Sequence, residues 1–132
     1  MKNPIVTTYF GVDGACSAAI ALLALPQAQV HVTSARRIAE SLHALPHTPE
    51  LHLCGIGIHC PWPEIDAAAT RLTARGTKII WHAARGYLNE HAEALRQFCT
   101  PELSPAPTNA AGVARYFGLL DHPRVRPILD LA

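Results

Sequence analysis

A glycine-rich turn that carries one aspartate follows the first apolar segment of the chain and could bind an anion. Its residues are Gly11, Asp13, Gly14 and Ser17, in the pattern Gly-x-Asp-Gly-x-x-Ser. Glycines allow a ligand to approach the backbone closely, and the helix predicted to follow offers N–H groups to negative charge. The same pattern also fits a tight turn in which Asp13 caps that helix, and both interpretations stay open here.

Further polar residues follow the segment predicted as the second strand. Arg36 and Arg37 could reach a phosphate there, although a solvated helix start is the commoner role of such arginines. Ser34 precedes them. We interpret it as a helix cap rather than a nucleophile, because no local motif places a histidine and an acid beside it.

Four residues of metal-binding type lie close together in the chain, namely His52, Cys54, His59 and Cys60. Their spacing matches no structural zinc pattern, because such patterns usually pair ligands two to four residues apart twice over. Buried thiols and loop histidines are therefore expected instead.

His82 is expected at the end of the fourth strand, where a general base would be useful. A lone histidine is also often a structural residue with satisfied hydrogen bonds. An enzyme of a different chemistry could use His82, Cys54 or Cys60. A reactive thiol would need exposure and a lowered pKa, neither of which is visible in a sequence.

The elements that must position these residues follow from alternating apolar segments. Stretches rich in β-branched and aromatic residues alternate with helix-like ones, which is typical of an α/β fold with a parallel sheet. We expect one domain over residues 1–132, a three-layer Rossmann-like domain whose mainly parallel β-sheet is flanked by helices. Strands are predicted at 5–10, 30–33, 51–54 and 78–81, and helices at 15–25, 36–45, 63–76, 90–98, 110–119 and within 123–132, with a proline-rich connector at 101–107.

Ligands of such sheets bind beyond the carboxyl ends of the strands. The loops predicted to lie there, and therefore to carry any site, are 11–14, 34–37, 55–60 and 82–87.

Composition narrows the function classes. Of the 132 residues, 49% are apolar and only 16% are charged, with a formal net charge of +1. That balance excludes intrinsic disorder and the clustered positive charge of a dedicated nucleic-acid binder. The low charged fraction predicts that a second copy covers part of the surface, as in a homodimer.

A soluble, cytoplasmic protein is the expected setting. No apolar run reaches the roughly 18 residues of a membrane span, and the start of the chain lacks the layout of an export signal. The four cysteines then fit reduced thiols.

Four segments, in order along the chain, together resemble the DHH phosphoesterase family, which includes single-strand exonucleases, oligoribonucleases and manganese-dependent pyrophosphatases. The first is similar to the family's opening Thr-His-x-Asp-x-Asp-Gly motif, and the third overlays its Asp-His-His stretch. The matched segments are 6–19, 53–58, 79–87 and 108–117. The resemblance is to the family's N-terminal domain alone, since its second, substrate-gripping domain has no counterpart in this sequence.

The matches depart from the family at the metal ligands. On this overlay the first histidine of the motif falls on Tyr9 and its first aspartate on Gly11, while Asp13 is retained. The second-motif aspartate falls on Gly55, or on Cys54 with a slip of one residue, and Asp-His-His becomes the run 83–85 of two alanines and an arginine. One aspartate cannot hold two manganese ions. The resemblance therefore implies a degenerate, non-hydrolytic domain, for which no cofactor is expected.

The function expected from this resemblance is binding of phosphate or a nucleotide, or regulation, without hydrolysis. Its ligand-binding residues would be Asp13, Gly14, Ser17, His82 and Arg85. Arg85 could supply positive charge where the family holds metals, or could be a surface charge beside a carboxylate. The alternatives are a pure protein-interaction module, an enzyme of different chemistry, and, ranked lowest, an ATPase resembling the PP-loop family.

Overall fold

Five parallel strands form one sheet in this computed structural model, which describes residues 3–84, 91–104 and 107–132. The strands stand in the order β2-β1-β3-β4-β5. Their bounds are β1 Ile5–Tyr9, β2 Gln29–Thr33, β3 Glu50–Cys54, β4 Lys78–Ala84 and β5 Cys99–Ser104. The order 2-1-3-4-5 is that of a doubly wound sheet, so the expected three-layer Rossmann-like α/β fold is confirmed.

Six helices cover the two faces of this sheet. Their bounds are α1 Val12–Ala24, α2 Ile38–Ala44, α3 Trp62–Ala74, α4 Ala92–Leu95, α5 Asn109–Tyr116 and α6 Val125–Leu131. None of the helices within the described residues is long and apolar enough to cross a membrane.

The sheet separates two hydrophobic cores, because successive strand residues point to opposite faces. Leu51 and Leu53 of β3 lie in one core with residues of α2 and α3. Cys54 lies in the other, with residues of α1, α5 and α6. The strands β1, β3 and β4 are buried on both faces, and their mainly apolar and β-branched residues made them recognisable in the sequence.

The proline-rich connector predicted at 101–107 is wrong over its first half, where residues 99–104 form β5. Pro101 lies inside this strand, and proline is tolerated there because β5 is at the edge of the sheet. The fourth strand is also longer than predicted and extends to Ala84. His82 therefore lies within β4 rather than at its end.

The helix starts differ from the predictions at two places. Helix α1 begins at Val12, directly after Gly11, so Asp13 lies in its first turn instead of at its cap. Helix α2 begins only at Ile38, and Ser34 precedes it in a turn closed by the bond from the Arg37 N–H to the Ser34 carbonyl. The interpretation of Ser34 as a helix cap is wrong.

The crossovers change side between β1 and β3, the two strands at the centre of the doubly wound order. The loops that follow β1 and β3 leave toward opposite faces of the sheet and open a crevice between them. The residues around this crevice form the first candidate site.

Candidate functional site

Two glycines at this crevice are required by close packing. A Cβ atom on Gly14 would lie 2.1 Å from the carbonyl oxygen of Tyr9. A Cβ atom on Gly55 would lie 2.6 Å from Cε1 of Tyr9 and 2.7 Å from Nδ2 of Asn109, and Gly55 also has a φ of +69°. Both glycines therefore let Tyr9 and Asn109 fill the crevice.

The carboxylate of Asp13 is held by four hydrogen bonds at this place. Its Oδ2 accepts from the Tyr9 hydroxyl and from both the backbone N–H and the side-chain amide of Asn109, each at 3.0 Å. Its Oδ1 accepts from the backbone N–H of Ala110 at 2.9 Å. Asp13 thus caps α5, a helix that begins 96 residues further along the chain.

Helix α5 has its first N–H groups satisfied within the protein. Asp13 takes those of Asn109 and Ala110, and the Thr108 hydroxyl accepts from Ala111 at 3.1 Å. A carboxylate at a helix N-terminus is favourable because the helix dipole places partial positive charge there. The anion that this helix start attracts is therefore the side chain of Asp13.

Ser17 and Gly14 serve the packing of α1. The buried Ser17 hydroxyl donates to the Asp13 carbonyl oxygen at 2.8 Å, and the Thr8 hydroxyl donates to the Gly14 carbonyl oxygen at 2.8 Å. Of the predicted ligand-binding set, Asp13, Gly14 and Ser17 are neighbours on α1, but only Asp13 and Gly14 contact the crevice residues. Arg85 lies outside the described residues.

His82 is one of two histidines that meet in the interior. Its Nε2 lies 2.9 Å from Nδ1 of His52, and Nε2 of His52 lies 2.6 Å from a carboxylate oxygen of Glu50. The rings are stacked, and Tyr116 packs edge-on against His82 at 4.7 Å between ring centroids. Strands β3 and β4 bring these residues together on the face covered by α5.

Glu50, His52 and His82 form a line of hydrogen bonds, and the Glu50 carboxylate at its end determines which ring nitrogens carry protons. A carboxylate only accepts, so Nε2 of His52 carries the proton that Glu50 receives. In a neutral His52, Nδ1 is then an acceptor, and Nε2–H of His82 donates to it. Nδ1 of His82 remains as a buried acceptor that has no hydrogen-bond partner in the described part of the chain.

Burial keeps both imidazoles neutral. Desolvation, with a smaller contribution from His52, lowers the pKa of His82 to about 3. Desolvation also lowers the pKa of His52, although Glu50 acts in the opposite direction. A base that is 2% exposed and titrates near pH 3 is poorly suited to exchanging protons with a substrate at neutral pH.

Cys54 does not have the properties of a reactive thiol. Burial, with a smaller effect of Asp13, raises the pKa of Cys54 to about 12, whereas reactive thiols are exposed and have lowered pKa values. Cys60 lies half-buried in the loop before α3. His59 and Cys60 are not gathered with Cys54 and His52: no group of three His, Cys, Asp or Glu residues among 3–84, 91–104 and 107–132 could hold a metal ion.

No protein-family model, curated protein or solved structure matches this chain.

A second opening lies at the same carboxyl edge, between β2 and α2. A cavity of about 310 Å³ is lined there by Phe10, Val32, Thr33, Ser34, Arg37, Glu40, Ser41 and Ala44. A smaller one of about 150 Å³ continues it toward Thr7, His31 and Leu45. We call the two together the β2–α2 groove. The sequence predicted that the loop 34–37 would belong to a site, but it did not predict Thr7, Phe10 or Ser41 as lining residues.

Proposed function

We propose that this protein binds a phosphate-containing small molecule at the carboxyl edge of its sheet and does not hydrolyse it. The observation that carries the proposal is that the Asp13 carboxylate is already hydrogen-bonded within the protein. In the resemblance to DHH phosphoesterases, Asp13 alone remains of the opening motif's metal ligands. Its carboxylate is engaged by four donors at the start of α5, and a metal ion would have to displace them.

Binding of an anion is supported by the charges near this edge. Arg36 and Arg37 are exposed after β2, and Arg37 lines the β2–α2 groove. Within the described residues, the Arg37 side chain is held by an exposed ion pair alone, with its Nε 3.7 Å from a carboxylate oxygen of Glu40. Exposed pairs of this kind contribute little stability, so the guanidinium can turn to a phosphate at small cost.

Calorimetric titration of the full chain with inorganic phosphate, pyrophosphate and AMP tests the binding. We expect saturable binding of at least one of them, weakened about ten- to a hundred-fold in Arg37→Ala, because a charged hydrogen bond is lost. Arg75→Ala is the matched control, since Arg75 is also exposed but follows α3, just before the amino end of β4. Arg85→Ala in the same titration tests the expectation drawn from the sequence for that residue.

The absence of hydrolysis has its own assay. With manganese added, the purified protein is offered bis-p-nitrophenyl phosphate, short oligonucleotides and pyrophosphate, and we expect no metal-stimulated turnover. Turnover that is lost in Asp13→Ala would contradict the non-hydrolytic function.

A protein-interaction module is the second candidate. It is supported by β2, a sheet-edge strand without a Lys, Arg, Asp or Glu, on which Val30 and Val32 are exposed. Titrations that find no binding of any phosphate compound would favour this function.

A further inference from the structure

We infer that the β2–α2 groove binds the nucleoside part of a nucleoside monophosphate, with the base on Phe10 and the ribose above Thr7. The inference rests on the proposed function and names the class of ligand.

The size of the groove suits such a ligand. Its larger cavity measures about 310 Å³ and shares Val32, Thr33, Ser41 and Ala44 with the smaller one of about 150 Å³. Sites for small molecules generally fall between about 300 and 1,000 Å³. A nucleoside monophosphate can therefore place its sugar in the narrow inner part and its base in the wider outer part.

The inner part contains a polar atom that lacks a partner. Thr7 is 1% exposed, lines the smaller cavity, and its hydroxyl makes no hydrogen bond within the described residues. Buried polar atoms are nearly always paired, so an unpaired one in a residue that lines a cavity indicates a missing partner. That partner must carry a group able to donate or accept a hydrogen bond.

The neighbours of Thr7 favour a hydroxyl-bearing partner. The hydroxyls of Thr33 and Ser41 are hydrogen-bonded to each other beside the same cavity, and His31 also lines it. Hydroxyl groups donate and accept, as ribose hydroxyls do, so each side can satisfy the other. In the part of the chain that the structure describes, no Lys, Arg, Asp or Glu side chain lines this inner cavity, which suits an uncharged sugar.

The outer part presents an aromatic ring to solvent. Phe10 is 80% exposed at the mouth of the groove, next to the exposed Val32. An aromatic face stacks on any nucleobase, because every base has a π-face. Stacking on Phe10 accounts for a large apolar ring left uncovered at the edge where ligands of doubly wound sheets bind.

The charges at the mouth limit the number of phosphates. Arg37 and Glu40 are the charged residues that line the larger cavity, and they form an ion pair. Because one carboxylate opposes one guanidinium, the mouth favours a single phosphate over a di- or triphosphate chain.

Titration calorimetry with AMP, GMP, CMP and UMP, and with adenosine, ribose 5-phosphate and inorganic phosphate, tests the inference. We expect the tightest monophosphate to bind at least ten-fold more weakly to Phe10→Ala, while ribose 5-phosphate binds both proteins equally. Val12→Ala is the matched control, since Val12 is also an exposed apolar residue but does not line the groove. Thr7→Val keeps the shape of the side chain but removes its hydroxyl. We expect this variant to bind the monophosphate several-fold more weakly and, without ligand, to melt at a higher temperature than the wild type.

The outcomes separate the inference from the proposed function. Equal monophosphate binding by Phe10→Ala and the wild type, or binding of ribose 5-phosphate as tight as that of the monophosphates, overturns the inference and leaves the proposed function standing. If adenosine binds as tightly as AMP and Phe10→Ala weakens its binding, the nucleoside site in the groove is supported. The same result overturns the claim that binding requires a phosphate. A chain that binds none of these compounds overturns both.

Discussion

The line formed by Glu50, His52 and His82 is the clearest consequence of single residues in this protein. Two imidazoles share one hydrogen bond in the interior, and only one of the two reaches a carboxylate. Burial disfavours a charge on either ring, and protons on both rings would also place two donors opposite each other. The buried pair therefore makes the stability of the fold depend on pH, and it does not provide an accessible base.

The direction of that dependence follows from His82. Its pKa in the folded state is about 3, below the usual value of about 6.5, so the unfolded chain takes up a proton first as the pH falls. The contribution of His82 to the free energy of unfolding is therefore largest above about pH 6.5 and declines as the pH falls toward 3. From pH 7 to pH 5 we expect a loss of about 2 kcal/mol from this histidine, measured by urea unfolding.

The variant His82→Gln isolates this contribution. A glutamine amide can still donate to His52 but takes up no proton, so the loss between pH 7 and pH 5 should shrink by about 2 kcal/mol. His43→Gln, at an exposed histidine of α2, should leave the loss unchanged. Equal losses in the wild type and His82→Gln would show that His82 is not held neutral by the fold. The other groups near the pair, Glu50 and Lys78 at His52 and Tyr116 over His82, are the same in these proteins.

Helices α1 and α5 are joined at their first turns by one side chain. The Asp13 carboxylate lies on α1 and takes two backbone N–H groups of α5, at Asn109 and Ala110. Both helices pack on the same face of the sheet. The start of α5 therefore depends on α1 for its position as well as for its hydrogen bonds.

Asp13→Ala removes this connection. We expect a loss of about 2–4 kcal/mol in the free energy of unfolding, because several hydrogen bonds to a charged group disappear and donors are left buried. Asp13→Asn should lose less, since one oxygen is kept. Faster amide exchange at Ala110 than in the wild type, with Ala111 still held by Thr108, would locate the damage at the start of α5.

Asp66→Ala is the control for this element. Asp66 is an exposed aspartate of α3, and its carboxylate accepts a single long hydrogen bond among the described residues, from the Thr70 hydroxyl at 3.4 Å. Its replacement should change stability by less than about 0.5 kcal/mol. An Asp13→Ala protein as stable as Asp66→Ala would contradict the capping role.

The whole molecule has an unprotected sheet edge at β2. The strand Gln29–Thr33 carries no Lys, Arg, Asp, Glu or Pro, the residues with which natural proteins commonly block edge pairing. If two copies pair antiparallel about His31, Val30 of one copy stands opposite Val32 of the other. This strand is therefore the contact through which we predict the homodimer.

Light scattering at tens of micromolar tests the dimer. We expect twice the chain mass for the wild type and the mass of one chain for Val30→Lys, because each new ammonium group would be buried without a partner opposite Val32 of the other copy. Leu131→Lys is the matched control, since Leu131 is an exposed apolar residue of α6 and is not part of β2, and this variant should remain a dimer. A wild-type protein with the mass of one chain would contradict this prediction.

The sequence alone determined the fold class, because alternating apolar segments and their flanking turns are local properties of the chain. It also placed a helix at α3 with Pro63 in its first turn and a short helix at α6. It missed β5, because Pro101 interrupts a strand pattern and only a place at the sheet edge makes that proline acceptable.

The tertiary structure decided what the polar residues do. Asp13 finds its partners 96 and 97 residues away, and His82 finds His52 thirty residues away on the neighbouring strand. The groove over Thr7 exists only because β2 lies at the edge of the sheet and α2 covers it in part. Such contacts depend on strand order and register, which neither periodicity nor residue spacing encodes locally.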